Sequence, residues 1–191
     1  MKTLQTRDEH ETAAAPNRCF SEWVPRHELA KLVPQIVKAA RETPPMAAAV
    51  AANPTATEAE MTLAVLVYCY AIGICRSREI EHRVGRTQAR GEMPARLRLD
   101  AAAFAQFRRL HAPLIKQCLA SALFQAFRMQ WNPGGLGGNM PPRLQRFDRQ
   151  QASDLNALLL LESEAERRLE IAESWDRFDQ EGWVGNAEGR K

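Results

Sequence analysis

The segment TEAEMTLAVLVYCYAIGI, Thr57 to Ile74, starts with a helix-start signal and then turns apolar on nearly every side. Thr57 and Glu60 form a T-x-x-E capping box, in which each side chain satisfies an amide that the first helical turn leaves without a partner. Leu63, Leu66, Val67, Tyr70 and Ile74 follow at helical spacing, with further apolar residues between them. A helix apolar all round has no face to offer water, so this one is predicted to be the buried centre of a bundle. Gly73 weakens its end. The uncharged run from Met61 to Cys75 has 15 residues, short of the roughly 20 that span a bilayer.

The flanking sequence continues the helical reading in both directions. Ser77 is placed to cap a second helix, Arg78 to Gln88, with Ile80 and Val84 inward and Arg76, Arg78, Arg83 and Arg86 pointing elsewhere. Gly91 to Leu99 reads as a polar turn, and Asp100 as the N-cap of a helix through His111. Phe104 and Phe107 form its inward stripe, with Arg108 and Arg109 on or beside it. Pro113 suits the first turn of a longer helix carrying Leu114, Ile115, Cys118, Leu119, Leu123 and Phe127. Upstream, Leu29, Leu32, Val33, Ile36 and Val37 mark a helix from about Arg26, which Pro34 is expected to kink or split. Thr43-Pro44-Pro45 closes that element, and Met46 to Ala52 reads as a short helix. Downstream, residues 132–151 form a Gly/Pro linker. After it comes an amphipathic helix over 152–180, with a seam of Leu155, Leu158, Leu159, Ala165, Leu169, Ala172 and Trp175. Glu164 with Arg168 and Glu173 with Arg177 are favourable pairs on it.

Composition agrees. Thirty alanines with plentiful Leu, Arg, Glu and Gln, against eight Val and six Ile, favour helix and nearly exclude a sandwich or large parallel sheet. The expected architecture is all-α: a multi-helix bundle with a helix-turn-helix-like core over 19–131, the linker, and the long C-terminal helix. Residues 1–18 and 181–191 read as disordered tails. The polar Met1 to Glu11 carries no secretory signal, so a cytoplasmic protein is expected. Cys19, Cys69, Cys75 and Cys118 show no metal or redox spacing and read as structural thiols.

The charge is unevenly distributed. Residues 61–131 balance at +7, with ten of eleven basic residues arginine, whereas 1–60 balance at −1 and 143–191 at −3. Such a basic block fits a polyanion partner or an arginine-rich solvated surface, and charge alone leaves both open. Three helices over 61–111 suggest a DNA reader, in which the helix from Asp100 enters the major groove with Gln106, Arg108 and Arg109 near the bases. His111 beside Arg109 is a weaker phosphate candidate. There is no G-x-S-x-G, P-loop, dinucleotide fingerprint or H-E-x-x-H. The carboxylates Glu162, Glu164, Glu166, Glu170 and Glu173 read as a solvated helix face. No catalytic residue, metal site or cofactor is expected.

The stretch Leu63 to Glu81 resembles the N-terminal domain of bacterial DDE-type insertion-sequence transposases, where an apolar helix ends in Tyr-x-Tyr-x-x-Gly and Ser-Arg-x-Ile-Glu follows. Tyr68, Tyr70, Gly73, Ser77, Arg78, Ile80 and Glu81 match. Asp100, Phe104, Phe107, Arg108 and Arg109 are similar to the family's next helix, and Trp23 to Leu29 with Ile36-Val37 to its opening segment. The resemblance covers about residues 20–130. Between Glu81 and Asp100 the chain lacks the family's aromatic-Arg-aromatic patch. The Gly/Pro linker stands where the family strand carries the first catalytic Asp. The two-metal strand-transfer chemistry needs carboxylates from separate elements, and the matched region supplies none of them.

What the resemblance implies is a transposase-derived module that binds duplex DNA, transposon-end repeats included, without catalysing strand transfer. Arg76, Arg78, Arg83 and Arg86 are expected to clamp phosphates. The alternative is a helical interaction module, its C-terminal helix pairing with a second copy or with an intact transposase.

Overall fold

The computed structural model describes residues 26–52, 55–89, 99–131 and 154–187, with backbone alone at 130–131, 154–156 and 180–187. The expected tail at 1–18, the segment Trp23 to Pro25, Cys19, the turn at 91–98 and the linker at 132–151 lie outside the described residues. Among the described residues the secondary structure is helical throughout: α1 Arg26–Ala39, a 3-10 turn Ala40–Glu42, α2 Pro44–Ala51, α3 Ala56–Ala71, α4 Ser77–Ala89, α5 Ala101–Trp131 and α6 Asp154–Ala187. The protein is an all-α bundle.

α3 is central. Leu63, Leu66, Val67 and Tyr70 are buried completely, and α1, α2 and α5 all pack against it. Its cap differs from the expected one by two residues. Thr55, not Thr57, accepts the amide of Glu58 at 3.1 Å. The sequence holds two overlapping T-x-x-E frames, and use of the earlier one releases Glu60 to hold Arg41 of the 3-10 turn at 2.6 Å. At its other end the amide of Ile74 donates to the carbonyl of Cys69 at 2.8 Å and that of Gly73 to Tyr70 at 3.0 Å. This paired closure needs a left-handed residue, and Gly73 supplies it at φ 86°.

Other boundaries shift for local reasons. α1 runs through Pro34 as one helix; Pro34 and Ala30 both lie on its exposed side, so the carbonyl deprived of its donor faces water. α2 starts at Pro44 because proline fits a first helical position, where no amide is needed. Asp100 caps α5 as expected, accepting the amide of Ala103 at 2.7 Å. The two helices expected over 100–130 meet end to end within α5, separated by a non-helical kink at His111 (φ −129°, ψ 27°) just before Pro113.

α6 buries Ala157, Leu161, Ala165, Leu169 and Ala172, lies along α5 in the broadest contact of the fold, and reaches α4. It continues to Ala187 rather than ending near 180, and the sequence has no proline beyond Pro142 to stop it. Cys69, Cys75 and Cys118 are buried free thiols, which burial raises to about 12, 11 and 11. No helix among the described residues is long and apolar enough to cross a membrane.

Replacing Gly73 with alanine keeps every packing contact but forces a Cβ into the left-handed region. Urea denaturation should show a loss of about 1–2 kcal/mol, with helical content unchanged in the folded baseline.

Candidate nucleic-acid interface

The seven residues expected to meet DNA divide into two groups. Arg108 is the first correction: its side chain is 0% exposed, so it does not face a ligand. Its guanidinium donates to the Tyr70 hydroxyl of α3 and to Ser77 Oγ of α4 (3.3 Å), and forms an ion pair with Asp176 of α6. Ser77 therefore does not act as the expected cap. It is the first residue of α4, and the carbonyl of Arg76 receives the opening hydrogen bond from Ile80 at 3.1 Å.

Arg76 is also engaged. It donates to Asp179 from Nε (3.1 Å) and Nη2 (2.5 Å), and its guanidinium lies 5.1 Å from the centre of the Trp175 ring. The hydrogen bond from Arg76 holds the Asp179 carboxyl below its ordinary value. Arg78 lies at the edge of this group, 3.7 Å from Asp179, with half its side chain exposed.

The carboxylates of α6 are correspondingly not all a solvated face. Burial works to raise the Glu164 carboxyl, but hydrogen bonds from Arg167 (2.8 Å) and Arg168 (2.8 Å) prevail and leave it lowered. Arg168, nearly buried, also donates to the carbonyls of Tyr70 and Ala71 (3.0 Å to the latter). A cation thus closes the C-terminus of α3, where carbonyls have no helical partner. Glu166 pairs with Lys116 of α5 at 2.9 Å. Of the two expected pairs within α6, Glu164–Arg168 forms. Glu173 and Arg177 do not come within ion-pair distance.

What remains open lies mostly on α4. Arg78, His82 and Arg86 are exposed at successive four-residue steps, which in a helix is one continuous ridge. Arg83 lies beside it, exposed and 3.3 Å from Glu79. Gln106 and Arg109 are exposed on the first half of α5. Among the described residues, nothing pairs with Arg86 or Arg109. His111 is not a surface phosphate contact: it is 8% exposed and packs its ring against Phe107 at 4.7 Å, and burial lowers its pKa. A groove of about 890 Å³ separates α1 from α4 over α3, with Met61, Val65 and Tyr68 in its lining and Arg83 and Arg86 at the α4 side. No group of three or more metal-ligating side chains occurs among the described residues.

No protein-family model, curated protein or solved structure matches this chain.

The sequence indicates Glu164 as a partner of Arg168 but neither the Tyr70 and Ala71 carbonyls that Arg168 also meets nor any partner of Arg108. One signal was available: position 108 falls four residues after the buried Phe104, on the inward side of α5. Nothing local indicated Asp176, 68 positions downstream.

Replacing Asp176 with alanine should cost about 3–5 kcal/mol in urea denaturation, because it leaves a buried cation without its counter-charge. The double variant Arg108→Met, Asp176→Leu removes both charges and should recover most of that loss. Acid titration should give a related result. Glu164 and Asp179 are held below ordinary values of 4.5 and 3.8. Their linkage contribution is complete above pH 4.5 and falls away as pH drops through their lowered folded-state values. The urea midpoint should decline over that acidic range, and less so in Glu164→Gln.

Proposed function

We propose that this protein is a DNA-binding module of cytoplasmic type, derived from the N-terminal domain of an insertion-sequence transposase and acting on duplex DNA without performing strand transfer. The observation that carries this reading is the ridge of Arg78, His82 and Arg86 on the exposed face of α4, still open to solvent where α6 has taken Arg76 and Arg108. Arginine's planar, permanently charged fork suits phosphate oxygens, and cationic side chains aligned on one helix suit a polyanion. Gln106 and Arg109 on α5 are the candidates for contacts nearer the bases. Transposon-end repeats are the target the family resemblance suggests.

The test is fluorescence anisotropy of labelled duplexes, one of mixed sequence and one derived from an insertion-sequence end, across a salt series. Binding should be salt-steep. Arg86→Ala should lower the magnitude of the salt slope by about one, whereas Arg108→Met, its guanidinium being internal, should leave the slope of the folded protein unchanged. Equal slopes for wild type and Arg86→Ala would remove Arg86 from the interface. Absence of binding at low salt would reject the whole reading.

A helical interaction module is the second reading, and the groove over α3 supports it better than the C-terminal seam does. Ala165, Leu169 and Ala172 are buried within the chain and are not free to pair with a second copy. A dimer that persists at high salt in sedimentation and dissociates on Met61→Glu would favour this reading.

A further inference from the structure

The outer face of α4 contains a residue that the fold does not use. Gly85 is helical, since the one positive φ among the described glycines belongs to Gly73. Its backbone therefore has no need of glycine. A Cβ built there meets nothing within 4 Å, so packing does not need glycine either. Glycine in an exposed helix interior is nonetheless less stable than alanine, through backbone entropy.

The position of Gly85 gives that cost a meaning. At 100° per residue, Gly85 projects between Glu81 and Arg78, and Ala89 falls between Arg78 and His82. The exposed face thus has long cationic side chains at Arg78 and Arg86 and almost bare backbone at 85 and 89. Arg78 and Arg86 are separated by about 12 Å along the axis, enough to reach different phosphates of one strand. Glu79 is held by Arg83, and Glu81, exposed, lies about 40° from Gly85 on the flank away from the arginines. Charge and shape both fit a rod-like polyanion lying across the helix.

We infer that Gly85 is the point of closest approach between α4 and the duplex, where the sugar-phosphate backbone comes against bare helix, with Arg78 and Arg86 reaching phosphates from one flank of it, about 20° and 100° round the helix. This inference rests on the DNA-binding reading above and adds to it the contacting face and its closest point. Gly85 acts by leaving room, not by bonding.

The experiment uses the full chain, a labelled mixed-sequence duplex at low salt, and two substitutions that leave the charge unchanged, Gly85→Ala and Gly85→Leu. Thermal unfolding should show Gly85→Ala raising Tm by about 2 °C and Gly85→Leu leaving it no lower than wild type. Affinity should fall in order of side-chain size, slightly for alanine and roughly tenfold for leucine. A lowered Tm in Gly85→Ala would show that the fold does use this glycine and would overturn the inference. Equal weakening by alanine and leucine would point to helix flexibility and would overturn it too. If wild type and both variants bind alike, DNA binding stands and this contact does not. If wild type fails to bind at low salt, both readings fall together.

Discussion

The Arg108 guanidinium is a cation in a place without water, and the arrangement of four helices follows from how it is accommodated. Position 108 on α5 faces inward because it continues the stripe of Phe104 and Phe107, so its charge must be matched from within. α3 supplies a hydroxyl at Tyr70, α4 supplies Ser77, and α6 supplies the carboxylate of Asp176. Such a pair contributes little net stability over a well-packed apolar substitute, since both charges give up hydration to form it. Its effect is on geometry. The seam that α6 lays on α5 is rich in alanine, a surface that allows close approach but holds register weakly. Arg168 on the carbonyls of Tyr70 and Ala71, and Asp176 on Arg108, fix α6 at two points about 12 Å apart, which sets both its rotation and its longitudinal position.

The same contacts change the meaning of the charge distribution. A block at +7 between more acidic flanks looks like a single field directed outward. In the folded chain part of that charge is answered internally: Arg76 by Asp179, with Arg78 only at the edge of that pair, Arg108 by Asp176, and Lys116 by Glu166. Among the described residues of that block, the exposed arginines are Arg78, Arg83 and Arg86 on α4 and Arg109 and Arg128 on α5. With those ion pairs α6 is less an appended helix beyond a joint than a component of the bundle: Ala165, Leu169 and Ala172 of its expected seam are buried, whereas Leu159 and Trp175 are exposed.

Features set by neighbours in sequence were legible in advance. The buried character of α3 follows from its apolar residues on all sides, the cap at Asp100 from its side-chain reach of three residues, and the Glu164–Arg168 pair from helical spacing. Errors arose where two local solutions compete or where distant residues decide. Thr55 and Thr57 offer equivalent capping boxes, and the choice depends on Arg41 being present to take Glu60. Arg108 and Arg109 are adjacent and chemically identical, yet 100° apart around the helix; one is internal and one exposed. The stripe of Phe104 and Phe107 turns 108 inward; what no periodicity within α5 contains is Asp176, the distant carboxylate that answers its charge there. The helix-turn-helix-like reading placed both in one DNA-reading helix, whereas burial assigns only Arg109 to the surface.

Exposed arginines and engaged arginines should answer differently to a competing polyanion. For a phosphate to reach Arg76 it must displace Asp179, a carboxylate on a packed helix that is always at hand. Tethering makes that competitor effectively concentrated, and salt that weakens the phosphate contact weakens the exposed part of the ion pair as well. A phosphate meeting Arg86 displaces only water and counterions. The sensitivity of binding to salt therefore counts the open arginines and not the total, which ties the size of the electrostatic footprint to where α6 lies. α6, by engaging the arginines nearest the α3–α4 turn, leaves the outer ridge of α4 as the face on which the duplex proposed above would meet the least resistance.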